Sequence, residues 1–268
     1  MPPSYVELAP PPGLEPFVAC AWMSHDGAVR VLPDACVDII AGAAGAAGVV
    51  VAGPSTTATI APATPGRPRV GVRFRIGAAG AALGLPAAEL LDDTVALSEL
   101  WGPGSRALED RVAAARTPSE ALGALVAGVA SRLPPSDAAD REIRRAALAL
   151  TRGATAAQAG RVAHLSERQL RRRFERAVGY GPATLARVAR FQRFLALARD
   201  PAGAGDQSLA RLAAEAGYAD QAHLTRECRR LAGLPAAALL ASGAAPAGER
   251  AAADPFKPAR ARSGTLGR

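Results

Sequence analysis

Lysine is all but missing from this chain: of 32 basic residues in 268, only Lys257 is not arginine. Cysteine is nearly as scarce. Cys20, Cys36 and Cys228 form an odd set with no CxxC pair, which excludes a disulfide framework and fits a reducing compartment. The chain does not open with a basic segment followed by an apolar run. No stretch of about eighteen apolar residues is free of glycine, proline or charge. Neither a secretory leader nor a membrane span is expected, and the predicted location is the cytoplasm. Catalytic groupings are equally thin. Asp34, Cys36 and Asp38, with His25, invite a metal reading, yet their spacing matches no strong metal signature. Asp34 after Pro33 reads as a turn residue, and Cys36 as core. Nothing near Cys20 or Cys36 obviously lowers a thiol pKa, as a redox sensor would need. The chain is expected to be no enzyme and to require no metal or cofactor.

What is present is positive charge, unevenly placed. Residues 1–139 hold 9 arginines against 13 acids, net −4, whereas residues 140–268 hold 22 arginines, one lysine and 11 acids, net +12. A genome rich in G and C would raise arginine everywhere. It would not concentrate it in one half, as a phosphate-binding surface does.

The basic half contains an internal echo. The segment Ser166 to Gly179 is matched by Asp220 to Gly233 at a constant offset of 54 residues. Each copy has a capping residue, a leucine four later (Leu170, Leu224), an apolar residue four after that (Phe174, Cys228), then glycine. Repetition with caps in step marks a repeated supersecondary unit. In the first copy Ser166 and Gln169 form a capping-box pattern. Leu170, Phe174 and Ala177 or Val178 give one apolar helical face. Arg168, Arg172 and Arg176 point away from that face, with Gln169 and Arg171 on its flanks. The short helix-compatible stretch Thr155 to Val162 precedes it across a three-residue turn. In the second copy Ser208 caps Leu209 to Ala216, Gly217 supplies the turn, and Asp220 caps a helix whose inward residues are Leu224, Cys228 and Leu231. Its outward set is Ala222, Thr225, Arg226 and Arg229, with Gln221 and His223 near the N-terminal end. A short helix, a tight turn and a second helix with a basic outer face make a helix-turn-helix. Arginine pairs with a guanine edge, glutamine with adenine, and threonine meets a thymine methyl. His223 is expected at a phosphate.

Between the copies, Pro182 to Arg199 keeps helical period through Leu185, Val188, Ala189, Phe191 or Gln192, and Leu195. A helix of that length spans roughly 27 Å, and successive major-groove faces lie about 34 Å apart. Such a rod can hold two reading helices on successive turns of one duplex.

The stretches "LSERQLRRRF" and "GYADQAHLTRECRRLAGLP" resemble the DNA-binding domain of the AraC/XylS family of transcription regulators, over about Asp140 to Leu240. The chain departs from that pattern in four places. Cys228 stands where the family usually has phenylalanine, and Ala163 replaces the common turn glycine. Gln158 takes a normally apolar place, and Pro235 follows Gly233 one residue early. The resemblance implies two helix-turn-helix units contacting double-stranded DNA through Arg168, Gln169, Arg171, Arg172, Arg176, Gln221, His223, Thr225, Arg226 and Arg229.

The front half reads as strands: Phe17 to Met23, Ala28 to Leu32, Cys36 to Ile40, Val49 to Ala52 and, most clearly, Arg69 to Ile76. In the last, Val70, Val72, Phe74 and Ile76 alternate with Arg69, Gly71, Arg73 and Arg75. Arg73 and Arg75 therefore share an outward face, expected to be solvated or helix-covered, with contact to an anionic ligand as the alternative. Gly77 to Leu100 reads as short helices. Thr117-Pro118-Ser119-Glu120 opens a helix to about Leu133, and Pro134-Pro135 breaks it. "RVLPDACVDII", "VAGP", "VGVRF" and "ALSELWG" resemble the uncharacterised, cupin-like domain found ahead of AraC-type domains in actinobacterial regulators.

The expected fold class is α+β. A small β-barrel or sheet with appended helices (1–133, sensing or dimerisation) precedes an all-α domain of two helix-turn-helix units joined by a long helix (137–240), then a disordered basic tail (242–268). The expected function is sequence-specific transcription regulation under control of a small molecule of unknown identity and site. A homodimer is a candidate assembly, and no membrane is involved. An architectural DNA binder, or a cupin-like enzyme with accessory DNA binding, are the competing readings.

Overall fold

Alternating apolar residues make the front half a sheet. The computed structural model describes residues 5–24, 29–42, 48–61, 68–134, 140–199 and 208–241. His25, Pro135, Asp137 and the expected tail 242–268 lie outside them. Among the described residues the strands are β1 (Tyr5–Leu8), β2 (Val18–Ser24), β3 (Val29–Val31), β4 (Asp38–Ala41), β5 (Val49–Ala52), β6 (Thr59–Ala61), β7 (Arg69–Phe74) and β8 (Thr94–Ala96). Six of them form one sheet in the order β1-β2-β7-β4-β5-β8, antiparallel at every junction. The other two, β3 and β6, pair separately as an antiparallel ribbon.

The helices follow in order: α1 (Gly80–Leu83), α2 (Leu97–Trp101), α3 (Arg106–Ala114), α4 (Pro118–Ala130), α5 (Arg141–Thr151), α6 (Ala156–Val162), α7 (Glu167–Val178), α8 (Pro182–Ala198), α9 (Leu209–Ala216), α10 (Gln221–Ala232) and α11 (Ala236–Ala241). A 3₁₀ turn occupies Ala87–Leu90. The chain thus has the expected α+β architecture, a sheet with helices in front and helices alone behind. The Thr117 hydroxyl accepts from the Glu120 N–H and Pro118 stands at the first helical position, so α4 starts where the capping pattern places it.

The pleat gives the sheet two different faces. Ala21, Ile39, Val51, Val70, Val72 and Phe74 are buried with Leu122, Leu125 and Val129 of α4 in one apolar core. The intervening residues Trp22, Ser24, Asp38, Ile40 and Val50 face the other way and line a cavity beneath the β3–β6 ribbon. A second core unites the helices behind through Ile143, Leu170, Phe174, Phe191, Leu224 and Cys228. It also takes in Leu32, Ala35, Cys36 and Ile76 from the front. The halves therefore share packed apolar surface.

One expectation is corrected. Arg73 does not lie on a solvated or helix-covered face; it is 3% exposed on the cavity side of the sheet. Its guanidinium sits 3.3 Å from Asp38, 3.4 Å from Glu7 and 3.6 Å from Asp34. A buried charge needs partners, and those partners stand far from Arg73 in sequence. Alternation predicts the face but not the partners. Arg75 leaves this face and donates to the Glu15 carbonyl.

Candidate nucleic-acid interface and an adjoining cavity

Both helix-turn-helix units close as their capping residues dictate. The Thr155 hydroxyl accepts from the Gln158 N–H while the Gln158 side chain accepts from the Thr155 N–H. Polar Gln158, out of pattern for a core position, thus completes the capping box that opens α6. Ser166 and Gln169 make the same reciprocal pair at α7. Ser208 caps α9 and Asp220 caps α10. Gly217 takes φ +88° in the second turn, a conformation glycine adopts without steric cost. In the first turn, where Ala163 replaces glycine, His164 carries the left-handed conformation at φ +54°. Cys228 is fully buried at the phenylalanine place, and its thiol is pushed up to about 12, first by burial and then by Glu227.

Acids in this half hold the recognition helices to their supports. Arg173 of α7 bonds Asp140 at 2.7 Å and Glu142 at 3.0 Å ahead of and on α5. Glu227 of α10 pairs with Arg187 of α8 at 3.2 Å. The outward arginines Arg168, Arg172, Arg176, Arg226 and Arg229 are all exposed. Gln221 is exposed too, and Thr225 half-buried. Three of the expected contact residues are engaged locally. Gln169 serves in the capping box, and Arg171 pairs with Glu175 at 2.9 Å. His223 accepts the Ala219 N–H through Nδ1 and meets the Tyr218 ring edge-on at 5.2 Å. Arg190 of α8 covers the same tyrosine ring at 5.5 Å, a further tie between α8 and the second turn. At 17 residues, the α8 spacer measures about 26 Å.

The front half touches the C-terminal end of each recognition helix. The Ala58 N–H donates to the Leu231 carbonyl at 2.7 Å, and Arg30 Nη1 donates to the Ala232 carbonyl at 2.9 Å. Those carbonyls end α10 and have no partner within the helix. Arg30 also places a cation at the negative end of the helix dipole. At α7, the terminal Gly179 lies so close to Pro54 and Ala87 that a side chain there would clash. Sequence reasoning missed these contacts, because their carriers are single residues in loops and in a three-residue strand.

The chain neighbours of Pro54, Ala58 and Arg30, namely Gly53, Ser55, Thr59 and Val31, line one cavity of about 350 Å³. The sheet supplies its floor through Trp22, Ser24, Ile40, Val50 and Ala52, and the ribbon its roof through Val31, Thr59, Ile60 and Ala61. The Trp22 ring fills the space where a side chain at Gly71 would be, and its Nε1–H donates to Asp38 at 2.7 Å. Burial opposes the charge of Arg73, but Asp38 and Asp34 outweigh it and hold that guanidinium's pKa above its ordinary value. Burial pushes the Cys36 thiol well up, with Asp34 adding to it. Asp34 accepts the Cys36 N–H at 3.0 Å, the turn role expected of it. Among the described residues no group of three potential ligands gathers closely enough to hold a metal ion.

Two helix-turn-helix units carrying exposed arginines, joined by one spacer helix, define a DNA-binding transcription regulator. Residues 159–242 match a helix-turn-helix domain, and residues 6–96 match a domain of unknown function (DUF6597). The rear of the chain is an AraC-type helix-turn-helix domain. Among solved structures, that of ToxT from Vibrio cholerae in its P21 form is 11% identical, aligned over 88% of this chain and 98% of that one, with a TM-score of 0.43. ToxT from Vibrio cholerae O395 is 10% identical over 81% and 88%, with a TM-score of 0.39. No curated protein matches the chain. No helix among the described residues is long and apolar enough to cross a membrane.

Proposed function

We propose that this chain is a one-component, sequence-specific regulator in which a small molecule held in the front cavity controls how α7 and α10 meet DNA. Residues 1–133 sense and residues 137–240 read. Arg168, Arg172, Arg226 and Arg229, all exposed, supply electrostatic capture and base contacts. Arg176, Gln221, Thr225 and His223 complete the surface. Gln169 and Arg171 contribute chiefly by holding α7 in shape.

The observation that carries control by a small molecule is the continuity between cavity and reading heads. The ribbon that roofs the cavity bonds the last carbonyls of α10. The loop around Pro54, whose neighbours Gly53 and Ser55 line the cavity, abuts the end of α7. Tyr180, just past α7, is buried, and its hydroxyl has no hydrogen-bond partner among the described residues. Its pKa is raised well above the ordinary value by burial first, then by Asp34, Cys36 and Asp92, two of which are cavity aspartates. A ligand acts only through its difference in affinity between two arrangements, and this wall is where that difference can arise.

Selection of bound sequences from a random duplex library tests the reading. A preferred site of two half-sites about one helical turn apart is expected. A pool with no preference would leave an architectural binder. Dimerisation through the front half would appear in the same pool as a doubled arrangement of those sites.

A further inference from the structure

The cavity face of the sheet carries an imbalance of charge. Among the described residues, Asp34, Asp38, Asp92 and Asp93 line it with one basic residue, Arg69. Behind the lining, Arg73 is shared by Asp34, Asp38 and Glu7, so it neutralises one of three nearby carboxylates. In a walled site such an excess is weakly screened and draws positive charge. Two further observations say what kind of positive charge fits. First, Ser24 is 5% exposed, and its Oγ has no hydrogen-bond partner among the described residues. The pleat sets Ser24 beside Trp22 on the cavity face, and both line the cavity. A buried hydroxyl left unpaired costs free energy unless something else bonds it. Second, the floor is apolar and aromatic. The Trp22 and Tyr5 rings lie 5.9 Å apart at 32°, and Ile40 and Val50 extend the surface. An indole face is the best aromatic surface for a cation.

We propose that the cavity takes a small organic cation, an ammonium or amidinium carried on an apolar frame, with Ser24 Oγ accepting an N–H and the Trp22 face bearing the frame. The inference rests on the reading that this cavity is the effector site. Among the described residues no three potential ligands gather closely enough for a metal ion, and the floor is apolar, so the ligand is an amphipathic cation. The volume, about 350 Å³, lies at the lower end of the range of about 300–1,000 Å³ usual for small-molecule sites.

The test is calorimetric titration of the full chain, without DNA, against matched triplets: an ammonium, the alcohol and the carboxylate on butyl, cyclohexylmethyl and phenylethyl frames. At least one ammonium is expected to bind about tenfold more tightly than its alcohol, a difference of about 1.4 kcal/mol, with its carboxylate weakest. Ser24→Ala should weaken that ammonium about fivefold or more and leave the unliganded melting temperature unchanged or slightly raised. Asp93→Asn, at the exposed rim, should narrow the gap between ammonium and alcohol. A carboxylate ranked first, equal affinities within every triplet, or no binding by any probe overturns the proposal, as does an ammonium indifferent to both substitutions. Titration without DNA tests the cation, and duplex affinity measured with and without the bound probe tests effector control, so the two readings fail separately. An ammonium that binds without altering DNA affinity sinks effector control alone, and a carboxylate that binds and alters it sinks the cation alone.

Discussion

The two helix-turn-helix units meet one geometric demand with different residues. The second spends a glycine on its turn and a bare aspartate cap on α10. The first has no turn glycine, puts His164 in a left-handed conformation, and braces α6 and α7 each with a full capping box. Their cores differ in the same sense. Phe174 fills the centre of the first and Cys228 that of the second. The smaller residue is matched by extra ties to α8, through Glu227–Arg187 and through Arg190 over Tyr218. What the comparison teaches is that the unit is defined by where its ends and inner positions fall, and that several side chains satisfy each place. The outward face is free of that demand, and its arginines Arg168, Arg172, Arg176, Arg226 and Arg229 stand exposed.

The largest expected break in the comparison is in the cores. Phe174→Ala should cost about 3–5 kcal/mol of stability, and Cys228→Ala only about 1–2 kcal/mol, because less buried volume is lost. Urea denaturation of the full chain measures both, and equal losses would deny the asymmetry. Next comes reading. Arg226→Ala should cost about 1–3 kcal/mol on the selected site and relax one base position. The same loss on random duplex would reduce Arg226 to a phosphate contact. Smaller still are the turns: Gly217→Ala should destabilise by about 1 kcal/mol, whereas His164→Gly should be neutral or stabilising by up to about 1 kcal/mol. Thermal melts that moved in the same direction for both would contradict the backbone assignment. The finest effect is chemical. With its folded pKa raised from 9.0 to about 12, Cys228 contributes stability that is present below about pH 9 and lost as pH climbs toward 12. At pH 8.5 it should resist iodoacetamide in the folded protein and react in urea, as mass spectrometry of the peptide would show.

Most of the rear half was legible because its determinants are local. A cap, a residue four later and a terminal glycine lie within one helix, so spacing alone locates α7, α9 and α10. The long strands of the front half were legible for the same reason. β1, β6 and β8 were not, since three or four residues carry no reliable period and their existence depends on the neighbours they pair with. Arg73 shows the limit most clearly. Its alternation with Val70, Val72 and Phe74 placed it on the right face, but whether that face is wet depends on Asp34, Asp38 and Glu7. No local pattern encodes those meetings. The exposed arginines fell on the predicted face. That Gln169 and Arg171 are occupied by Ser166 and Glu175 could have been anticipated from their three- and four-residue separations.

The bond from Arg30 to the last turn of α10 has a bearing on dissection of the molecule. Cut free of its sheet, the arginine-bearing portion would leave the Leu231 and Ala232 carbonyls without their present donors, and Leu32, Ala35, Cys36 and Ile76 would vanish from its packing. The fragment would therefore be a looser body than the same stretch in the intact chain, with α10 fraying from its distal end. Affinities measured on such a truncation would report the behaviour of an orphaned module, and a regulator's silence or action in vivo would have to be judged on the whole polypeptide.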